Sequence, residues 1–306
     1  MEQLGLGITP RRLYSCTPSR LNTWLDCRRR YRFTYLDRPA PPKGPPWAHN
    51  SLGASVHNAL AAWWRAPYER RTPATAAELV AGVWITDGFR DAEQSAQWRE
   101  RARRMVAAYV STLDPACEPV GVERVVATRT EVITVSGRVD RIDHRDGELV
   151  VVDYKTGRRP PTEQDARSSL ALAIYAISAS RMLRLPCSRV ELHHVPTGAV
   201  AAWEHTEDSL ARHLRRAEEI AEEAAAADEA YRAWAGRAPR RRAGERPARD
   251  GGTAAGVPPE IDRLFPPNPG PLCSWCDFRR HCAEGRAASP DRRPWDGLAE
   301  EAEADG

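Results

Sequence analysis

Lysine is almost missing from this chain. Of its 45 basic residues only Lys43 and Lys155 are lysine, and arginine supplies every other cation. Long apolar runs are missing too. The stretch Ser168 to Ser180 has 13 uncharged residues, whereas a helix needs about 20 to cross a bilayer, so no membrane partner is expected. The opening residues MEQLGLGITPRR contain no apolar core of a secretory leader, and the expected location is cytoplasmic. Seven cysteines in such a chain do not suggest a disulfide scaffold. They call for a metal, a cluster or simple burial. No segment repeats internally.

What is present is a chain of 306 residues, 42% hydrophobic and 28% charged, which reads as globular with a sizeable core. The net charge is 45 − 42 = +3, but its distribution is uneven. Cys27 to Arg38 carries five arginines against one aspartate, Arg237 to Arg249 six against one glutamate, and Asp296 to Gly306 five acids and no base. A basic stripe is either a solvated surface or a track for phosphates.

The order of elements follows from capping residues and periodicity. Thr17-Pro18-Ser19 opens a helix carrying Leu21, Trp24 and Leu25, which runs through Cys27 to Tyr35 and breaks at Ala40 to Pro46. Helix is expected again over Leu52 to Trp64 and across most of 74–112. From Glu118 the pattern turns to strands: short alternating runs over Val120 to Val135, then Val135 to Asp143 and Glu148 to Tyr154 around an Arg145-Asp146-Gly147 turn. A helix over Ala166 to Leu183, strands at Arg189 to Val195 and Ala199 to Glu204, and a long helix from Thr206 to about Trp234 complete the order.

The stretch GRVDRIDHRDGELVVVDYKTG, Gly137 to Gly157, is the most informative. Strand side chains alternate, so Asp153 and Lys155 share a face, and Asp140 can meet them from the neighbouring strand. Carboxylate oxygens suit Mg²⁺ or Mn²⁺. A lysine beside such an ion can orient an attacking water and offset developing negative charge. In a chain that uses arginine almost everywhere, Lys155 implies a need for a compact ammonium. An ordinary Asp–Lys pair at a strand end is the alternative.

Gly53-x3-His57, Gly137-x2-Asp140-Arg141-Ile142-Asp143 and Asp153-Tyr154-Lys155-Thr156-Gly157 resemble, in that order, the motifs of RecB/AddB-type nucleases of the PD-(D/E)XK superfamily. The resemblance implies an α/β, restriction-endonuclease-like αβββαβ core, with a mixed central sheet flanked by helices, a helical N-terminal part and a C-terminal four-cysteine module. It implies that His57, Asp140, Asp153 and the Tyr154 carbonyl hold the ion, and that Lys155 positions the nucleophilic water. In the Gln-Leu-x-x-Tyr helix motif of such nucleases, Leu172 and Tyr175 match and Ala171 stands at the glutamine. Tyr175 then reads as catalytic or as a core residue of its apolar helix.

Cys273-x2-Cys276-x5-Cys282 is a tight group that needs a fourth thiolate, and Cys27 is the best donor, with His281 the substitute. Four thiolates suit Zn²⁺ or an iron–sulfur cluster. The same resemblance implies a [4Fe–4S] cluster on Cys27, Cys273, Cys276 and Cys282. Cys16, Cys117 and Cys187 read as isolated small residues. Arg28, Arg29 and Arg30 beside the cluster would guide a DNA strand. Trp24, Tyr31, Trp275 and Phe278 would stack on bases or pack around the cluster.

The expected organisation is a nuclease domain over 1–234 with a helical insertion at about 65–115, and a flexible linker over 235–260. A cysteine module over 261–286 packs on the N-terminal helix, and a disordered acidic tail follows over 287–306. The expected function is metal-dependent hydrolysis of DNA, on single strands or ends, in repair or recombination. The alternative is a weakly active or inactive nuclease-fold DNA-binding scaffold. No Gly-x4-Gly-Lys-Ser/Thr loop is present, so any helicase would be a separate subunit.

Overall fold

A computed structural model describes residues 13–237 and 257–298. It begins with a short strand β1 (Tyr14–Cys16) and the helices α1 (Pro18–Asp26), α2 (Arg28–Tyr35), α3 (Ala48–Arg65), α4 (Pro73–Gly82) and α5 (Ala92–Val110). Then come β2 (Gly121–Arg129), β3 (Ile133–Arg145), β4 (Glu148–Lys155), α6 (Glu163–Ser168), α7 (Leu170–Leu183), β5 (Arg189–His194), β6 (Ala199–Glu204) and α8 (Glu207–Arg237). After the undescribed segment follow α9 (Pro259–Asp262), two 3₁₀ turns at Pro271–Trp275 and Arg279–His281, and α10 (Ala283–Ala288).

The strands form one six-stranded mixed sheet in the order β1-β3-β4-β5-β6, with β2 also pairing β3. β2, β3 and β4 are antiparallel, β4 and β5 parallel, and β5 and β6 antiparallel. The β4–β5 crossover runs through α6 and α7, as a parallel pair requires. β4 is buried on both faces through Leu149, Val150, Val151 and Val152, which explains its nearly continuous apolar run. Val150, Val152 and Tyr154 pack against α3, α4 and α5. On the opposite face Leu149, Val151 and Ile142 pack against Leu172, Ala176 and Ala179 of α7. A third cluster joins α1, α2, β1 and α8 to Phe265. This is an α/β fold whose mixed sheet lies between helices, in keeping with a restriction-endonuclease-like core.

Several elements depart from the sequence expectation. The first helix is broken at Cys27, whose extended backbone ends α1 and caps α2, the thiol accepting from the Arg30 amide at 3.5 Å. The mostly helical stretch expected over 74–112 is two helices whose joint includes Gly88 in the left-handed region at φ +83°. Ser169 divides α6 from α7 by capping the latter. β1 was not foreseen. Disorder was expected from 287 onward, yet residues 287–298 are placed. The Pro294 carbonyl accepts the Ala48 amide, Arg158 bonds the carbonyls of Asp296 and Leu298, and Leu298 is buried in the α3 core. Most of the expected linker, and the tail beyond 298, lie outside the described residues.

Candidate active site

The β3–β4 hairpin is set by its turn. Asp146 and Gly147 both adopt positive φ, +51° and +86°, the geometry that matches the natural twist of two strands. This fixes Arg145 opposite Glu148 and Arg141 opposite Val152; one step further, Asp140 faces Asp153. There the backbone ladder opens, and Asp140 Oδ2 accepts the Tyr154 N–H at 2.8 Å. Asp153 and Lys155 share a face, with Nζ 2.6 Å from Asp153 Oδ2, and the lysine side chain is half exposed. Tyr154 points the other way, its buried hydroxyl accepting from Trp64 Nε1 at 3.0 Å and Arg141 at 3.2 Å. Burial pushes the Asp153 carboxyl above the usual range; Asp140 adds to this and Lys155 opposes it.

His57 comes from α3. The helix approaches the end of β4 so closely that a Cβ on Gly53 would lie 3.2 Å from Thr156 Oγ1. His57 Nδ1 lies 3.3 Å from Asp140 Oδ1, and its ring meets Tyr154 edge-on. Burial lowers the imidazole pKa, but Asp140, with Asp153 and Glu123, outweighs it and the net shift is upward.

Tyr175 reaches the same cleft from α7. A Cβ on Gly137 would lie 2.5 Å from Tyr175 Cε1, so the motif glycine is where the ring sits. Burial, then the charges of Asp153 and Asp140, push the Tyr175 hydroxyl up to about 12. The cleft, about 500 Å³, is lined by Gly53, His57, Glu123, Gly137, Asp140 and Tyr175, and by Thr17 and Ser19 at the start of α1. Ala171, at the position of the expected glutamine, brings no polar group.

Glu123 escaped the sequence reading. Its neighbours on β2, Val122 and Arg124, pair with Arg141 and Val139, so Glu123 stands opposite Asp140. Its backbone is left-handed, φ +52°, a conformation that costs a non-glycine residue about 1–2 kcal/mol. One ligand atom each from His57, Glu123 and Asp140 lies within 4.8 Å of the others. The useful signal was the strand pairing itself: once Asp140 is placed, the acid opposite it on β2 follows.

The four thiols also lie in one region. Cys276 is shifted upward by burial, with the charges of Cys27 and Cys273 adding to the rise. A Cβ on Gly285 would sit 3.4 Å from Cys282 Sγ and 3.5 Å from Cys273 Sγ, and the Gly285 amide donates to Cys282 Sγ at 3.4 Å. His281 is turned to the Pro42 carbonyl. Burial pushes the thiols of Cys16 and Cys187 up to about 11 and 12, and both are buried in apolar clusters.

The arginine stripe divides. Arg29 is buried, bonded to Asp262 at 3.0 Å and to the Phe265 carbonyl at 3.2 Å. It therefore ties α2 to the C-terminal module and does not face a nucleic acid. Arg28 pairs with Glu223 and lies over Trp24, and Arg30 is half exposed near Asp26. Trp24, Tyr31 and Phe278 are buried packing residues: α1 and α2 turn Trp24 and Tyr31 inward, and Phe278 meets Phe33 of α2 edge-on.

No curated protein matches the chain. A crystal structure from Eubacterium rectale, provisionally named an exonuclease, is similar at 9% identity and a TM-score of 0.41, over 67% of this chain and 78% of that one. The PD-(D/E)XK nuclease superfamily model matches residues 15–283, a span that contains every motif residue described above, and the chain belongs to that superfamily.

Proposed function

We propose that this chain is a divalent-metal-dependent deoxyribonuclease of the RecB/AddB type, acting on single-stranded DNA or DNA ends in repair or recombination. The observation that carries the proposal is the row Asp140, Asp153 and Lys155 on one face at the end of the β3–β4 pair, with His57 against Asp140. Nucleases of this superfamily use divalent metals. The donor set here fits Mg²⁺ or Mn²⁺: carboxylate oxygens from Asp140 and Asp153, the Tyr154 carbonyl, and one imidazole. Such an ion polarises a phosphoryl oxygen and lowers the pKa of bound water.

The protein's own groups do the rest. The Tyr154 amide fixes the direction of the Asp140 carboxylate. Lys155, half exposed beside Asp153, orients the attacking water and offsets charge on the phosphate. Tyr175 closes the side of the cleft over Gly137. Arg28 and Arg30 are left as surface cations for a DNA backbone, and a separate helicase subunit would supply unwound strands. Among the described residues no helix is long and apolar enough to cross a membrane.

The thiols of Cys27, Cys273, Cys276 and Cys282 fit a [4Fe–4S] cluster. The set is all sulfur, Cys27 and Cys282 accept the backbone amides of Arg30 and Gly285, and Gly285 leaves the space a side chain would fill. Such a cluster would clip residue 27 to residue 282 and hold the chain closed around the core. Anaerobic purification tests this: iron, labile sulfide and visible charge-transfer absorption support the cluster, whereas a colourless protein with stoichiometric zinc replaces it with Zn²⁺.

Ala171, which offers no polar group where the family carries glutamine, favours a second reading, a weakly active or inactive DNA-binding scaffold. Assays with Mg²⁺ or Mn²⁺ on single- and double-stranded DNA, beside Lys155→Ala and Asp153→Ala, decide between the two. Cleavage by the wild type that both variants lose supports the nuclease. Wild type and variants equally inert on every substrate leave the scaffold.

A further inference from the structure

Within the cleft, one carboxylate has no role in the mechanism above. Glu123 lies on β2, opposite Asp140, and its carboxylate falls within 4.8 Å of both His57 and Asp140 when one ligand atom is taken from each. Its backbone is the anomaly. Three non-glycine residues adopt positive φ among those described: Asp146, Arg184 and Glu123. Asp146 belongs to the hairpin turn, and Arg184 ends α7. Glu123 alone sits inside a strand, where regular pairing would have supplied an ordinary conformation. Strain of this kind persists where the surroundings hold a side chain in a required place.

The only ion pair of Glu123 among the described residues is with Arg138, Nε to Oε2 at 2.7 Å. Arg138 stands two residues before Asp140 on β3, on the same face, and its side chain is 69% exposed. An exposed guanidinium is an uneconomical reason to hold a strained glutamate against a histidine and a second acid, because surface pairs contribute little. The side chain is better explained by what it faces on its other side.

We propose that Glu123 is a direct ligand of the divalent ion, together with His57 and Asp140, and that Arg138 is a latch that occupies the Glu123 carboxylate until a phosphate draws the guanidinium away. This rests on the metal-dependent reading of the same cleft. An incoming phosphate is a bidentate partner for Arg138 at least as good as a carboxylate. Arrival of the DNA backbone therefore frees Glu123 for the ion and anchors the strand one residue pair from Asp140.

The test is Mn²⁺ binding to the full chain without DNA, followed by electron paramagnetic resonance of the free ion. Glu123→Gln is expected to weaken binding at least tenfold, since even outer partners of a metal site change affinity by roughly 10–100-fold. Arg138→Ala is expected to tighten binding, and Glu123→Gln must cost as much again in that background. Glu123→Gly guards against a folding artefact, because glycine suits the left-handed backbone. That variant is expected to raise the melting temperature of the metal-free protein while losing Mn²⁺ as Glu123→Gln does. Unchanged Mn²⁺ affinity in Glu123→Gln overturns the inference. So does a loss that disappears once Arg138 is alanine, which would mean that Glu123 only restrains the arginine. A wild-type chain that binds no Mn²⁺ overturns the metal-dependent reading itself, a different result from a bound ion indifferent to Glu123.

Discussion

Gly137→Ala is a small substitution with a large expected consequence. The new methyl would lie 2.5 Å from Tyr175 Cε1, 3.0 Å from Oη and 3.2 Å from Cζ. Carbon atoms rest at about 3.5–4.0 Å, so the ring must retreat by roughly 1 Å. The helix cannot retreat with it, because Leu172, Ala176 and Ala179 of α7 are packed against the sheet. Overpacking of this kind costs about 1–3 kcal/mol, partly offset by up to ~1 kcal/mol from a less flexible unfolded chain. The net loss of about 1–2 kcal/mol corresponds to a drop of roughly 2–4 °C in melting temperature for a large domain. Thermal unfolding of wild type, Gly137→Ala, Tyr175→Ala and the double variant measures it. Without the tyrosine ring the methyl has nothing to strike, so the alanine is expected to cost nothing there, a coupling of at least ~1 kcal/mol. Cleavage is expected to fall in the single variant as the ring leaves the carboxylates. An equal cost of the alanine in both backgrounds would refute the steric account.

Other expectations follow from the same contacts. In the metal-free chain an NMR titration should place the His57 midpoint above the ordinary value of about 6.5, and Asp140→Asn should lower it, since Asp140 is the main group raising it. Metal affinity then falls as the pH drops through that raised value, because protons compete for the imidazole; a wild-type midpoint at or below 6.5 would contradict the geometry. Behind the cleft, buried Glu191 accepts from His193, Arg189 and Arg145 at 2.8, 2.8 and 2.9 Å. Glu191→Gln is expected to cost about 3 kcal/mol, the lower end for breaking a buried charge pair because two of its donors are arginines that can reach water, and denaturant unfolding reads the loss. Asp262→Ala removes one of two ion-pair partners from fully buried Arg32 and the carboxylate from Arg29, which keeps the Phe265 carbonyl. A loss of about 2–4 kcal/mol without change in the salt dependence of DNA binding would fit their structural role; a changed salt slope would return Arg29 to the DNA surface.

Much of the site was legible in the sequence because it depends on local rules. Strand alternation placed Asp153 and Lys155 together, the Asp146-Gly147 turn fixed the hairpin, and the hairpin brought Asp140 across. The rarity of lysine marked Lys155 before any coordinate did. The helices of the N-terminal half were legible as helices, but not their joints. At Cys27 a thiol accepting one amide outweighs an unbroken apolar pattern, and no periodicity records that.

Whatever depended on distant partners was decided only by the tertiary structure. Arg29 looks like its neighbours in a basic run, yet Asp262, 233 residues away, buries it. Leu298 lies in an acidic segment that composition assigns to solvent, but the α3 core receives it. Glu123 carries no motif, and its strained backbone and its place beside His57 arise from three strands and a helix meeting at one point. Patterns of period two and 3.6 state which way a side chain points. What it meets there is set by packing between segments far apart in the chain, which no local pattern contains.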